Sequence, residues 1–108
     1  MVDIPPKFME KMSSQTVQEG VTVTFTCGVE ETDDMKYKWL FNGRPLAIAY
    51  GSRRSIDGQK LTIKSVNTAD IGNYACNATN SVGHAFGQAV LNVICKFFVF
   101  SRNANDRY

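Results

Sequence analysis

The stretch DIGNYAC, residues 70–76, decides how the rest of this chain is interpreted. It ends on Cys76, and Tyr74 lies two positions before that cysteine. An earlier cysteine, Cys27, ends a segment in which apolar residues alternate with threonines, and the single tryptophan, Trp39, lies between the two cysteines. Strict alternation is the pattern of a half-buried β-strand. The segments around Trp39 and Cys76 alternate in the same way, so the sequence predicts an all-β fold.

This order of Cys, Trp and D-x-G-x-Y-x-C is the signature of an immunoglobulin-type β-sandwich. In that fold a disulfide joins the two sheets, the indole packs on the disulfide, and the tyrosine hydroxyl fixes the turn before the second cysteine. The signature implies two antiparallel sheets, one inter-sheet disulfide between Cys27 and Cys76, and a core that includes Trp39, Leu61 and Tyr74. After the Asn-Gly turn signal that follows Trp39, we expect a short strand over residues 45–50.

Composition limits the other possibilities. The chain has 108 residues, a hydrophobic share of 44% and a net charge of +2. That length suits one domain, and so small a charge does not predict nucleic-acid binding. No apolar run is long enough to insert into a membrane, and the first residues do not read as a signal peptide. We expect a linker over residues 1–6, the sandwich over 7–94, and a tail of unknown role over 95–108.

Two segments carry a resemblance to a known family. WLFNGRPL, residues 39–46, resembles the intermediate-set (I-set) immunoglobulin domain, in which Trp-x-x-Asn-Gly-x-Pro-Leu is common. GNYACNATNSVG, residues 72–83, with SRR at 52–54 and AVLNV at 89–93, is similar to the fourth immunoglobulin domain of neuroglian-type neural cell-adhesion molecules. The resemblance implies a non-enzymatic protein-interaction module of an extracellular adhesion receptor, whose partners are the same or related receptors on a facing cell.

An intracellular alternative remains open. I-set domains also build titin-like sarcomeric proteins in the cytoplasm of muscle, where cysteines at similar positions stay reduced. A stable disulfide implies an oxidising compartment and favours the extracellular alternative. The N-glycosylation sequon Asn77-Ala78-Thr79 favours it too, because Asn77 is expected to point outward.

Other polar groups do not form a recognisable catalytic or metal site. The only histidine, His84, has no nucleophile or carboxylate at a catalytic spacing, so we expect no enzyme. We also expect no cofactor and no metal. The acidic loop lacks calcium-loop spacing, and four scattered cations make a weak heparin-binding signal. The acidic residues are Glu30, Glu31, Asp33 and Asp34; the cations are Arg53, Arg54, Lys60 and Lys64.

One of these cations has a structural role available. The resemblance implies that an arginine entering the strand near residue 54 pairs with Asp70 at the end of the sandwich. Of the two neighbouring arginines we favour Arg54 over Arg53.

Alternation also predicts an interaction face. The strands that carry Trp39 and Cys76 direct a second set of residues outward, and apolar residues exposed together mark interaction surfaces. Asn77 lies on the same face, so either a glycan covers the face and the contacts move to an edge, or Asn77 is unmodified and the face binds. We define this candidate face by Lys38, Leu40, Phe86, Gln88 and Val90.

Cys95 is left over once the other two cysteines have paired. An unpaired cysteine in a secreted protein is a free thiol or an intermolecular link. A dimer through Cys95 or through the aromatic tail that follows it is therefore a possible assembly.

Overall fold

The computed structural model describes residues 5–6, 11–30, 34–46, 48 and 51–95. In these residues the backbone forms eight strands and one short 3₁₀ turn, Thr68–Asp70. The strands are β1 (Gln15–Gln18), β2 (Val23–Thr26), β3 (Lys36–Phe41), β4 (Arg44–Pro45), β5 (Arg54–Asp57), β6 (Lys60–Ile63), β7 (Gly72–Thr79) and β8 (His84–Ile94).

The strands form two sheets. The five-stranded sheet has the order β1-β8-β7-β3-β4, and the three-stranded sheet has the order β2-β6-β5. β1 pairs with β8 in parallel, and every other described pair is antiparallel. The predicted all-β immunoglobulin-like sandwich with two sheets and one inter-sheet disulfide is confirmed.

The core lies between the sheets, where the alternating sequence directs its apolar side chains. On β2, Val23 and Phe25 are buried while Thr24 and Thr26 are exposed. On β8 the buried residues are Ala89, Leu91 and Val93. Because side chains on a strand alternate between its two faces, this one pattern both fills the core and sets the outer surface.

The strand predicted over residues 45–50 is wrong in its length. An Asn42-Gly43 turn with positive φ at both residues (52° and 83°) joins β3 to β4, as the turn signal predicts. β4 then ends at Pro45, and Ile48 lies outside any strand; residues 47, 49 and 50 are outside the described part. Proline has no amide hydrogen to donate, which suits β4 to the edge of the sheet, and the last backbone hydrogen bond described from this segment to β3 runs from the N–H of Leu46 to the carbonyl of Trp39 at 2.9 Å.

The N-terminal prolines contact the sandwich. Pro6 is buried. Pro5 lies close to Gly83, so that a side chain at position 83 would place its Cβ atom 3.3 Å from the Cβ atom of Pro5. The predicted linker over residues 1–6 and the domain boundary at residue 7 stay predictions, as does the tail over 95–108, of which all but Cys95 lies outside the described residues.

Candidate protein-interaction surface

The disulfide and the tryptophan hold the two sheets together beneath the candidate face. Cys27 follows β2 in one sheet, Cys76 lies on β7 in the other, and their Cα atoms are 5.8 Å apart. Trp39 is the register partner of Cys76 and is 2% exposed. Its indole N–H donates a 3.1 Å hydrogen bond to the carbonyl of Gly58, so the one polar atom of this large side chain is satisfied.

Tyr74 ties the start of β7 to the preceding turn. Its hydroxyl donates a 2.7 Å hydrogen bond to the backbone carbonyl of Asp70. The ring lies between Phe25 and Phe41, with centroid distances of 5.2 and 4.8 Å. Burial raises the pKa of Tyr74 above its ordinary value, so the hydroxyl keeps its proton and remains a donor.

Asp70 is fully buried, and two arginines bind it. Arg53 donates to both carboxylate oxygens, at 3.0 and 3.1 Å, and Arg54 donates to Oδ1 at 3.0 Å. The sequence analysis favoured Arg54 over Arg53; both arginines bind Asp70, and Arg53 makes two of the three hydrogen bonds. Arg53 lies just before β5, so strand alternation could not predict that its side chain reaches Asp70. Besides its hydrogen bond to Asp70, Arg54 places its guanidinium carbon 4.9 Å from the centroid of the Phe41 ring.

The charge state of Asp70 follows from these contacts. Burial by itself would raise the pKa of this carboxyl group. The hydrogen bonds from Arg53, from the backbone N–H of Asn67 and from Arg54 outweigh burial and hold the pKa below its ordinary value. The carboxylate is therefore ionised, paired and fully inside the fold, which makes it a structural group and not a reactive one.

The sequence analysis missed the 3₁₀ turn that presents Asp70. Asn67 caps this turn by accepting a hydrogen bond from the backbone N–H of Ala69, and the Asp70 carboxylate accepts one from the backbone N–H of Asn67. This reciprocal arrangement is a capping box, which an Asn followed three residues later by Asp could have signalled.

The outer side of the five-stranded sheet brings the five candidate-face residues together. Lys38 lies opposite Asn77, and Asn77 lies opposite Phe86, so these three residues form one row across β3, β7 and β8. In the next row Leu40 and Gln88 flank Ala75. Val90 lies one row further along β8.

Two of these residues expose large apolar side chains. Phe86 is 51% exposed and Val90 is 47% exposed. A depression lined by Lys11, Met12, Phe86, Gly87 and Gln88 borders the face on the β1 side. Exposed apolar groups beside lysine and amide side chains are typical of protein-binding surfaces and would also serve a weak contact between copies. That this face binds a partner stays a proposal.

The remaining predicted residues lie apart from this face or at its margin. His84 is the first residue of β8 and is exposed, and Cys95 follows β8 as a half-buried free thiol. Glu31 and Asp33 lie outside the described residues. In the rest of the chain no three acidic, cysteine or histidine residues come close enough to hold a metal ion. The part of the chain that is described contains no helix long and apolar enough to cross a bilayer.

Comparison with known proteins places the fold in a family. The pattern of the Immunoglobulin I-set domain matches residues 6–93. Neuroglian of Drosophila melanogaster is 32% identical over 93 residues, which is 85% of this chain and 7% of neuroglian. Both the I-set resemblance and the neuroglian resemblance predicted from the motifs are confirmed.

Muscle proteins match as well. Titin of Drosophila melanogaster is 33% identical over 97 residues, which is 85% of this chain and, to the nearest percent, 0% of titin. A solved structure of titin M4 superposes with a TM-score of 0.76 at 27% identity, covering 87% of this chain and 100% of M4. The chain thus spans a small part of neuroglian and of Drosophila titin, and it corresponds in length to the single titin domain M4.

Proposed function

We propose that this chain, which belongs to the immunoglobulin I-set family, is a protein-binding module of an extracellular cell-adhesion receptor of the neural type. The observation that carries the proposal is the Cys27–Cys76 pair, buried between the sheets at a Cα separation of 5.8 Å. A disulfide of this kind persists in an oxidising, extracellular compartment. The sequon at Asn77 on the outer face adds a second feature of secreted proteins.

The module binds and does not catalyse. Two of its buried polar groups are committed to the fold: the Asp70 carboxylate to two arginines, and the hydroxyl of Tyr74 to a backbone carbonyl. Its outer sheet surface offers the exposed side chains of Gln88 and Val90 to another chain. The neuroglian resemblance supports a partner of the same kind, namely a second copy or a related receptor.

A second candidate is a structural I-set domain of an intracellular, titin-like muscle protein. The likeness to titin M4 and to Drosophila titin favours it. The two candidates differ in the chemistry of Cys27 and Cys76, which are joined in an oxidising compartment and reduced in the cytoplasm.

Thiol labelling of the natural protein separates these candidates. The tissue is lysed in the presence of an alkylating reagent, and the cysteine-containing peptides are identified by mass spectrometry after reduction with a second label. We expect Cys27 and Cys76 to carry the second label, because they are paired when the cell is opened. Cys95, unpaired within the chain, is scored separately, since a free thiol takes the first label and a thiol that links two chains takes the second. First-label modification of both Cys27 and Cys76 would support the muscle candidate instead.

A further inference from the structure

Asn77 and Phe86 face each other across β7 and β8. Both belong to the outward row that begins at Lys38 on β3. Directly opposed residues of an antiparallel pair have Cβ atoms about 4.5–5.5 Å apart, so a group attached to one side chain can reach the other. Phe86, at 51% exposed, presents the one aromatic surface in this row.

The amide group of Asn77 has a defined orientation. Its Oδ1 atom is buried and has no hydrogen-bond partner. Asn77 as a whole is half-buried, so the residue is partly exposed at the surface. Thr79, the third residue of the sequon, is exposed two positions further along the same face. The asparagine and the hydroxyl residue of the sequon therefore lie on the same face of β7.

We propose that Asn77 is N-glycosylated and that its first N-acetylglucosamine packs against the ring of Phe86. The modification needs an oligosaccharide donor linked to a lipid diphosphate. Nδ2 attacks C1 of the donor sugar and the N–C1 bond forms. The bond from C1 to the diphosphate oxygen breaks, one proton leaves Nδ2, and the lipid diphosphate departs as the leaving group.

The position of the sugar follows from the two neighbours of Asn77 in its row. Lys38 offers a charged and strongly hydrated end, whereas Phe86 offers an apolar ring. The C–H groups on one face of a pyranose are apolar and carry a slight positive charge, which complements the negative face of an aromatic ring. Packing on Phe86 removes both apolar surfaces from water.

The sugar then divides the candidate face. It covers the end that holds Phe86 and leaves Leu40, Gln88 and Val90, in the following rows, for a protein partner. The inference rests on the proposed extracellular function, since the donor chemistry belongs to the secretory route. A glycan and a protein partner can then occupy the candidate face together, because each contacts a different part of it.

The test uses the chain secreted from a eukaryotic host with the sugars trimmed to the first N-acetylglucosamine. Intact mass should show one added sugar on the wild type and on Thr79→Ser, and none on Thr79→Ala. In proton NMR spectra, sugar protons above an aromatic ring shift upfield. We expect this shift in the wild type, its loss in Phe86→Ala and Phe86→Leu, and its retention in the matched control Val90→Ala. The leucine variant keeps an apolar contact and the fold while removing the ring.

The outcomes separate the inference from the proposed function. A secreted chain whose Cys27–Cys76 disulfide is formed but whose Asn77 carries no sugar overturns the inference and leaves the extracellular function standing. A sugar whose proton shifts are the same in the wild type and in both Phe86 variants overturns the packing on Phe86. Natural protein in which both cysteines are reduced overturns the inference and the proposed function together.

Discussion

Trp39 and Cys76 occupy the same register position of the β3–β7 pair, so the indole lies beside the disulfide that joins the two sheets. Trp39 is 2% exposed and Cys76 is 0% exposed. The covalent link and the largest aromatic side chain therefore form one packed unit, and the candidate face lies on the other side of the same strands. The stability of this unit determines whether the face is presented at all.

The disulfide should account for a large part of the stability. Cys76→Ala is expected to lower the free energy of unfolding by about 2–5 kcal/mol, because the unfolded chain is no longer constrained. Urea titration of the secreted chain measures the change. The matched control, Cys95→Ala, removes a half-buried free thiol and should change the free energy of unfolding by about 0.5 kcal/mol or less. Equal effects of the two substitutions would contradict a formed disulfide.

The hydroxyl of Tyr74 should contribute separately from its ring. Tyr74→Phe keeps the packing against Phe25 and Phe41 but leaves the buried carbonyl of Asp70 without its 2.7 Å donor. An unsatisfied buried acceptor costs about 1–3 kcal/mol. Thermal unfolding followed by circular dichroism reports the loss, and an unchanged midpoint would show that the hydrogen bond does not stabilise the fold.

Asp70 should give the stability a dependence on pH. Its pKa is held below the ordinary value, so the carboxylate stabilises the folded state above the unfolded pKa of about 3.9. That stabilisation is lost as the pH falls through the lower, folded pKa. The difference in unfolding free energy between the wild type and Asp70→Asn should be largest near neutral pH and should shrink below about pH 4.

The control for this prediction is Asp57→Asn, which removes an exposed carboxylate from β5. It measures how much of any change comes from the loss of one negative charge at the surface. A difference between wild type and Asp70→Asn that stays constant from pH 7 to pH 2 would contradict the paired, ionised Asp70.

Cys95 should determine whether a covalent dimer forms. The cysteine is free and half-buried at the end of β8. Sedimentation velocity without reductant should show a disulfide-linked dimer in the wild type that Cys95→Ser lacks. If both proteins sediment as the same species, a dimer linked through Cys95 is excluded. A dimer formed by both proteins would instead support pairing through the tail over residues 95–108.

The sequence could predict the features that depend on alternation and on spacing. Successive side chains on a strand point to opposite faces, so the burial of Leu61 and the outward placement of Phe86 could be predicted from the sequence. The contact between Arg53 and Asp70 was not, because Arg53 precedes β5 and its reach depends on the path of the chain. The strand over residues 45–50 was overpredicted because the apolar residues after Pro45 resemble a strand, although Leu46 and Ile48 lie outside any strand.

Aggregation of beads coated with the secreted chain tests the central claim that the outer face of the five-stranded sheet binds another copy. The test variant carries Gln88→Glu and Val90→Glu on β8. The matched control carries Thr24→Glu and Thr26→Glu, two exposed positions on β2 in the opposite sheet, with the same change in charge. The account predicts that wild-type and control beads aggregate and that beads with the β8 variant do not. Aggregation of the β8 variant at the wild-type level, with its circular dichroism spectrum unchanged, would contradict binding through this face.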